Sequence, residues 1–263
     1  MQRVHLVELE DLAWVPRAVR DGATDVLDYL FARVHFYRPL VDVFTKALAA
    51  TGARTVVDLC SGGGGGALYL AHVLRERGQT DVRFVLTDLH PNEAARERIG
   101  SEQGLAYHPT PVDAMAVPAE LRGLRTMFSA LHHFRPDQVK ALLASAVAAR
   151  SHVAFFDGGS SPALRRVPLL LIPVGAMVNA TFLLLVPLFV VPFVRPLRAS
   201  RWLLTYLLPL VPILFAWDGT VSALRVYAPE ELLEIARSVP GGDSYIWEAG
   251  RGGQALYLTG RPR

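Results

Sequence analysis

The sequence predicts a doubly wound α/β domain, on three observations. An apolar β-branched run, Val56-Val57-Asp58-Leu59-Cys60-Ser61, ends in an acid and leads into five consecutive glycines, Gly62 to Gly66. A helix-like stretch follows at once, and strand–glycine turn–helix is the ligand-facing edge of such a sheet. Strand and helix signals then alternate as far as Asp157, which argues for a mostly parallel sheet covered by helices.

Taken in order, residues 24–50 read as helical. Val26, Leu27, Leu30, Phe31, Val34, Leu40, Val41, Phe44 and Leu48 recur at spacings of three and four. Pro39 splits this stretch into two helices and Gly52 ends the second. Thr55–Leu59 is a strand, and Ala67–Arg77 a helix stopped by Gly78. Val82–Thr87 is a strand closing in Asp88, and Asn92–Ile99 a short helix. Leu105–His108 and Arg125–Ser129 are strands, Pro136–Ala149 a helix, and His152–Phe156 a strand closing in Asp157. Pro229–Ser238 is a helix with proline in its first turn. Ser244–Glu248 and Gln254–Thr259 form an antiparallel pair, separated by Gly250-Arg251-Gly252-Gly253. No internal repeat is visible.

Composition narrows the functional classes. Hydrophobic residues make up 51% of the 263, and the mean hydropathy of +0.28 is high for a soluble protein. The excess lies between Val167 and Trp217. The net charge is only +3, and the basic clusters Arg165-Arg166 and Arg195, Arg198 and Arg201 flank apolar runs. That pattern fits an anionic membrane surface, not nucleic acid. The single cysteine, Cys60, excludes an internal disulfide and a multi-cysteine metal site, so no metal is expected and a reducing cytoplasmic setting is. Met1–Glu10 does not read as a signal peptide.

The glycine run alone is compatible with several nucleotide-like cofactors. A P-loop requires Gly-Lys-Ser/Thr, whereas Gly66 is followed by Ala67 and Leu68. A short-chain nicotinamide enzyme shows Tyr-x-x-x-Lys, and neither Lys46 nor Lys140 has that tyrosine. Asp88 lies one strand–helix unit after the glycines, where a carboxylate can accept both hydroxyls of a ribose. Its alternative is a strand-end acid or a helix cap.

At these residues the chain resembles the class I S-adenosylmethionine (SAM)-dependent methyltransferases. Val56–Gly64 is similar to their first cofactor loop and Leu86-Thr87-Asp88 to their ribose acid. Val112-Asp113-Ala114 is similar to the adenine-contacting loop, and Phe128-Ser129-Ala130-Leu131-His132-His133-Phe134 to the fourth-strand segment. The resemblance runs from about Thr55 to Asp157. It implies a Rossmann-like seven-stranded sheet, parallel with one antiparallel strand, with N-terminal helices and an apolar helical insertion before the last helix and strand pair. It implies S-adenosyl-L-methionine as cofactor, held by Asp58, Ser61, Gly62, Gly63, Gly64, Asp88, Leu89, Asp113, Ala114 and Ser129. One departure is clear: the family places glycine where Cys60 stands, and Cys60 is read as a turn residue.

His132 and His133 are the general-base candidates, because histidine titrates near neutral pH. Their competing role is packing beside the cofactor or capping the next helix. Tyr37, on the N-terminal helices that in this family close over the site, is a candidate substrate contact. So are Asp218, Ser222, Arg225 and Tyr227, in the polar stretch after the apolar block. The competing reading of that stretch is a β-turn and short edge segment.

The apolar block carries no charge from Val167 to Val194, and again none from Trp202 to Trp217. The first run is long enough to span a bilayer, the second short. Both ends belong to one sheet, so both lie on the cytoplasmic side. A two-span hairpin would put the arginines outside, against the positive-inside tendency. A re-entrant dip turning near Gly175–Thr181, at Asn179, avoids this. A crossing hairpin and a dimerisation surface are the alternatives. The expected organisation is a helical cap (1–52), a core (53–160), a membrane-associating insertion (161–217) and a C-terminal core segment (218–263). The expected activity is methylation of a lipophilic small molecule, such as a quinone, a polyketide or fatty acyl compound, an isoprenoid or a lipid. Membrane lipids are expected partners, and the insertion would draw substrate from the bilayer. A catalytically silent, membrane-recruited regulatory protein is the alternative.

Overall fold

The computed structural model describes residues 6–91, 93–100, 102–158 and 169–263. Asn92, Arg165, Arg166 and Val167 therefore lie outside the described residues. The chain divides into two compact units, one of Phe36–Gly158 with Tyr227–Arg263, the other of Met1–His35 with Gly159–Val226.

The larger unit is a seven-stranded sheet in the order β3-β2-β1-β4-β5-β7-β6. Its strands are β1 (Thr55–Leu59), β2 (Arg83–Leu86), β3 (Leu105–Tyr107), β4 (Leu124–Phe128), β5 (Val153–Asp157), β6 (Tyr245–Gly252) and β7 (Ala255–Pro262). β1 to β5 pair in parallel, and β7 runs antiparallel to both neighbours. β1 and β5 are apolar and almost wholly buried, as strands covered on both faces must be. The first helix of this unit, α2 (Val41–Thr51), buries Val41, Phe44 and Leu48 and ends at Gly52 with φ +63°. Helices α3 (Gly65–Glu76), α4 (Glu93–Gly100), α5 (Pro136–Ala148) and α9 (Pro229–Ser238) complete it.

The final hairpin is longer than expected. Gly250, Arg251 and Gly252 lie in β6, so the loop shrinks to Gly253 and Gln254. Those glycines serve close approach within the strand. A Cβ on Gly250 would sit 2.7 Å from the Tyr257 hydroxyl, and one on Gly252 2.9 Å from the Pro39 carbonyl oxygen.

The smaller unit is helical. α1 (Arg17–Arg33) starts before the expected residue 24; between Val19 and Val26 its inward face is made by Gly22 and Ala23, small residues that give little apolar signal. α6 (Ile172–Val190) is one continuous helix. This corrects the re-entrant turn expected near Gly175–Thr181. Asn179 instead donates to Thr220 Oγ1 at 3.0 Å, and Thr181 Oγ1 returns to the Met177 carbonyl at 2.9 Å, so neither polar side chain needs a turn. The sharp change of direction comes later. α7 (Ala199–Trp202, continued by a π-turn over Leu203–Leu207) and α8 (Leu210–Arg225) meet at 80°. α8 takes in residues 218–225, which corrects the β-turn reading of that stretch. Val15, Val19, Val26, Val191, Val211 and Leu214 form part of the core of this unit.

Candidate active site

The sheet order reverses between β1 and β4, the switch point at which open α/β sheets bind ligands. Asp58 is the last residue but one of β1, in register with Leu86 on β2 and Thr126 on β4. Its side chain is 1% exposed and accepts a hydrogen bond from Thr126 Oγ1 at 2.8 Å. Burial pushes its pKa up to about 6, against the opposing pull of Ser61 and Thr126.

The glycine turn is knit to the next strand. Ser61 N–H donates to the Thr87 carbonyl at 2.9 Å, and Thr87 N–H donates back to Ser61 Oγ at 3.1 Å. Cys60 adopts φ +54°, the left-handed region that favours glycine. Burial pushes its thiol up, so it stays protonated and a poor nucleophile. Gly62 has φ +48°, and a Cβ there would meet nothing within 4 Å. Its N–H donates to Asp88 Oδ2 at 2.9 Å, while His90 N–H donates to Asp88 Oδ1 at 2.8 Å. The Asp88 carboxylate is thus aimed back at the glycine turn. Gly63 and Gly64 complete the turn, and Gly64 N–H donates to the Ser61 carbonyl at 2.6 Å.

Leu89 presents an exposed apolar side chain beside this turn. Asp113 is exposed and fixes its own loop by accepting the Met115 N–H at 2.8 Å, with Ala114 buried behind it. Ser129, at φ +50°, shares a 2.8 Å hydrogen bond with the buried Tyr37 hydroxyl. The Tyr37 ring meets Phe128 edge-on at 5.3 Å.

His132 and Asp157 form a buried pair. His132 Nδ1 lies 2.7 Å from Asp157 Oδ1, and the two side chains are 6% and 0% exposed. Asp157 Oδ1 also accepts the Gly158 N–H at 2.9 Å. With Asp157 ionised the contact requires a proton on Nδ1, which leaves Nε2 as the basic nitrogen. His133 lies alongside, its ring centroid 4.5 Å away.

The four remaining predicted substrate contacts are divided between the two units. Asp218, Ser222 and Arg225 belong to the helical unit, spaced four and three residues apart on α8. Asp218 accepts N–H bonds from Leu9 at 2.6 Å and Glu10 at 3.0 Å. Ser222 bonds back to the Asp218 carbonyl at 2.7 Å, and Arg225 pairs with buried Glu8 at 2.8 Å. Tyr227, in the sheet unit, is buried and donates to the Phe134 carbonyl at 2.7 Å, bracing the segment that carries the histidines. The helical period explains the difference: it turns the polar side chains of α8 onto the N-terminal segment.

Sequence reasoning missed three residues of the site. Asp157 closes β5 much as Asp58 stands one residue before the end of β1, and that parallel was a usable signal. Tyr107, which donates to the Gly62 carbonyl at 3.2 Å, and Arg98, which donates to the Gly63 carbonyl at 2.7 Å, carry no local signal.

No family model and no curated protein matches the sequence. Solved structures do. Human N-acetylserotonin methyltransferase in complex with SAM superposes with a TM-score of 0.55 at 12% identity, over 94% of this chain and 57% of that one. LaPhzM gives 0.53 at 15% identity, over 98% and 62%. OxaC in complex with SAH and oxaline gives 0.51 at 13% identity, over 83% and 45%. The chain spans less than two thirds of each. At these identities the likeness establishes the fold: the chain has the seven-stranded fold of the SAM-dependent methyltransferases.

Proposed function

We propose that this protein is a SAM-dependent methyltransferase acting on a lipophilic small molecule at the cytoplasmic face of a membrane. The observation that carries the cofactor assignment is Gly62. Its backbone is bent into the left-handed region, its missing Cβ opens onto free space, and its N–H is bonded to Asp88. The residues fit SAM. A backbone cradle suits the amino-acid part, Asp88 suits the ribose hydroxyls, and exposed Leu89 with Asp113 suits adenine. No phosphate anchor is needed, and the cradle has no lysine.

When bound, SAM supplies an electrophilic methyl group on a sulfonium. The protein's task is then to hold an acceptor in line and, where the acceptor carries a proton, to remove it. His132 has the arrangement for that task. Asp157 fixes its tautomer and stabilises the imidazolium, leaving Nε2 to take the proton. His133 adjoins it as a second candidate. Tyr37 and Ser129 offer a paired hydroxyl to a polar substituent of the acceptor.

The lipophilic assignment rests on α6. Ile172–Phe193 is long and apolar enough to cross a bilayer, and only 11% of its most apolar window is buried. A core helix of a soluble protein is mostly buried. The unit fits a monotopic attachment better than a crossing. Asp25 of α1 pairs with both Arg198 and Arg201 in the turn between the apolar limbs, and a crossing would carry that charged cluster through hydrocarbon.

The test is cofactor binding followed by turnover. SAH titration should show one site, and Asp88→Ala should weaken it by about 100-fold, the scale of two charge-assisted hydrogen bonds. Incubation with SAM and membrane extract should yield SAH and a lipid-soluble product heavier by one CH₂. Binding of NAD(P) in place of SAM overturns the assignment. SAM binding without turnover across broad extracts favours the regulatory protein.

A further inference from the structure

The helical unit holds a cleft of about 580 Å³, open to solvent, between α1 and the start of α7. Arg17, Asp21, Asp25, Arg198, Ser200 and Arg201 line it. Its charges do not balance. Arg201 is 1% exposed; it donates to Asp25 and to the carbonyls of Val194 at 2.8 Å and Pro196 at 2.6 Å. Its Nε–H has no acceptor among the described residues. Arg198 lies 3.3 Å from the same Asp25 carboxylate, so one carboxylate serves two guanidinium groups. Arg17 reaches Asp21 only at 3.6 Å and is 53% exposed. Burial raises the pKa of Asp21 against the pull of Arg17.

A solvent-open cleft with surplus positive charge, two of its arginines partly exposed, suits an anion with several acceptor oxygens. The surroundings say how it arrives. Leu197 and Trp202 flank the lining residues in sequence and are 58% and 40% exposed, followed by exposed Leu203 and preceded by exposed Phe193. An anion carrying an acyl chain finds apolar surface next to the cations. We propose that this cleft binds the phosphate of an anionic membrane lipid, with Arg17 and Arg198 as its charged contacts and Ser200 as a hydroxyl donor. The inference rests on the membrane attachment proposed above and adds a headgroup preference to it.

The test is flotation of the full chain with phosphatidylcholine vesicles, alone or mixed with phosphatidylglycerol. The mixed vesicles should bind more tightly. R17Q/R198Q should remove that gain, about fivefold for each arginine, and leave binding to phosphatidylcholine alone unchanged. The control is R83Q/R122Q, two exposed arginines of the sheet unit. Should both pairs lower binding equally, the attraction is diffuse and the site is refuted. Should R17Q/R198Q shift the melting temperature, R17K/R198K replaces it. That pair keeps the charge but loses the planar fork, and full retention of the gain by it refutes the site. Inorganic phosphate that stabilises the wild type through these arginines, with no gain from phosphatidylglycerol, overturns the lipid source. Binding to phosphatidylcholine without a gain sinks this inference alone. No binding to either vesicle sinks the membrane attachment as well.

Discussion

The two units use apolar residues in opposite ways. In the sheet unit Val56, Val57, Phe155 and Phe156 are at most 1% exposed. In the helical unit Phe182, Phe189 and Phe193 are 65%, 72% and 63% exposed. The same residue type is a core in one place and a surface in the other. Hydrophobicity alone therefore does not locate a core; what matters is whether the fold supplies a partner for each face. β5 lies between β4 and β7 in the sheet and has α2 packed against it. α6 has α8 against part of its surface, and its outward row of Met177, Val178, Phe182 and Leu185 carries no charge. Exposed apolar surface on this scale marks an interaction site.

The largest expected effect comes from making one substitution in both units. Phe155→Asp buries an unpaired charge among packed strands and should abolish folding, read as loss of cooperative melting. Phe182→Asp should leave the melting temperature within a few degrees and reduce vesicle binding by at least about tenfold. Its cost is the lost insertion of one aromatic ring plus the penalty for a charge in hydrocarbon. Unchanged vesicle binding by Phe182→Asp, at protein concentrations where the chain is a monomer, breaks the contrast. A shift from dimer to monomer in the variant would reassign the surface to self-association.

Next in size is the buried dyad. His132→Ala should lower kcat by about 100-fold or more, the usual range for a positioned base. Asp157→Asn keeps the shape but no longer holds a proton on Nδ1, and kcat should fall about as far. His133→Ala should have the smaller effect. An acceptor acidic enough to ionise in water should rescue all three, whereas a merely structural role would leave them impaired with every acceptor. Equal activity of His132→Ala with a neutral acceptor removes the base from the mechanism.

How much was legible in advance follows the same division. β1 and β5 were readable because both of their faces are buried, so each carries an apolar run, Val56-Val57 in one and Val153 to Phe156 in the other. Gly52 and the glycine turn were readable because their backbone angles demand the residue. The hairpin of β6 and β7 was shortened in the reading, since Gly250 and Gly252 look like a loop until Tyr257 and Pro39 are known to press against them. α6 was broken in the reading, since Asn179 looks like a turn residue until Thr220 is known to face it. Asp218 and Arg225 stand out as polar residues, but their partners Leu9, Glu10 and Glu8 do not. In each case the deciding group is distant in sequence. The His132–Asp157 pair is the clearest instance: both residues were visible, but not their 2.7 Å contact.

A smaller effect separates the two acids of the cofactor edge. Asp58 is buried with its pKa raised to about 6 from 3.8; Asp88 is half-buried and bonded to two N–H groups. A raised carboxyl pKa means the ionised form is disfavoured in the fold. The penalty is absent below about pH 4, grows up to about pH 6, and is constant above, where it is on the order of 2–3 kcal/mol. Asp58→Asn removes it and keeps an oxygen to accept from Thr126. The variant should melt on the order of 5 °C above wild type at pH 8 and little above it at pH 4. An equal difference at both pH values would mean that the gain is not electrostatic. Asp88→Asn should lose SAH affinity.

The smallest expected effect concerns Cys60. Its φ of +54° places a side chain in the left-handed region, with Gly62 two residues on in the same region. A non-glycine residue held there costs about 1 kcal/mol. The strain sits at the turn that SAM is proposed to touch, whereas the exposed apolar row of the helical unit lies in regular helix. Cys60→Gly should relieve the strain but also loosens the unfolded chain, which returns part of the gain. The net rise in melting temperature should be about 1–2 °C, with SAH affinity within about twofold of wild type. Cys60→Val adds β-branching at positive φ and should lower stability by more than glycine raises it. A glycine variant that gains stability but binds SAH several-fold more weakly would show that the cysteine side chain, and not only the turn, shapes the cradle.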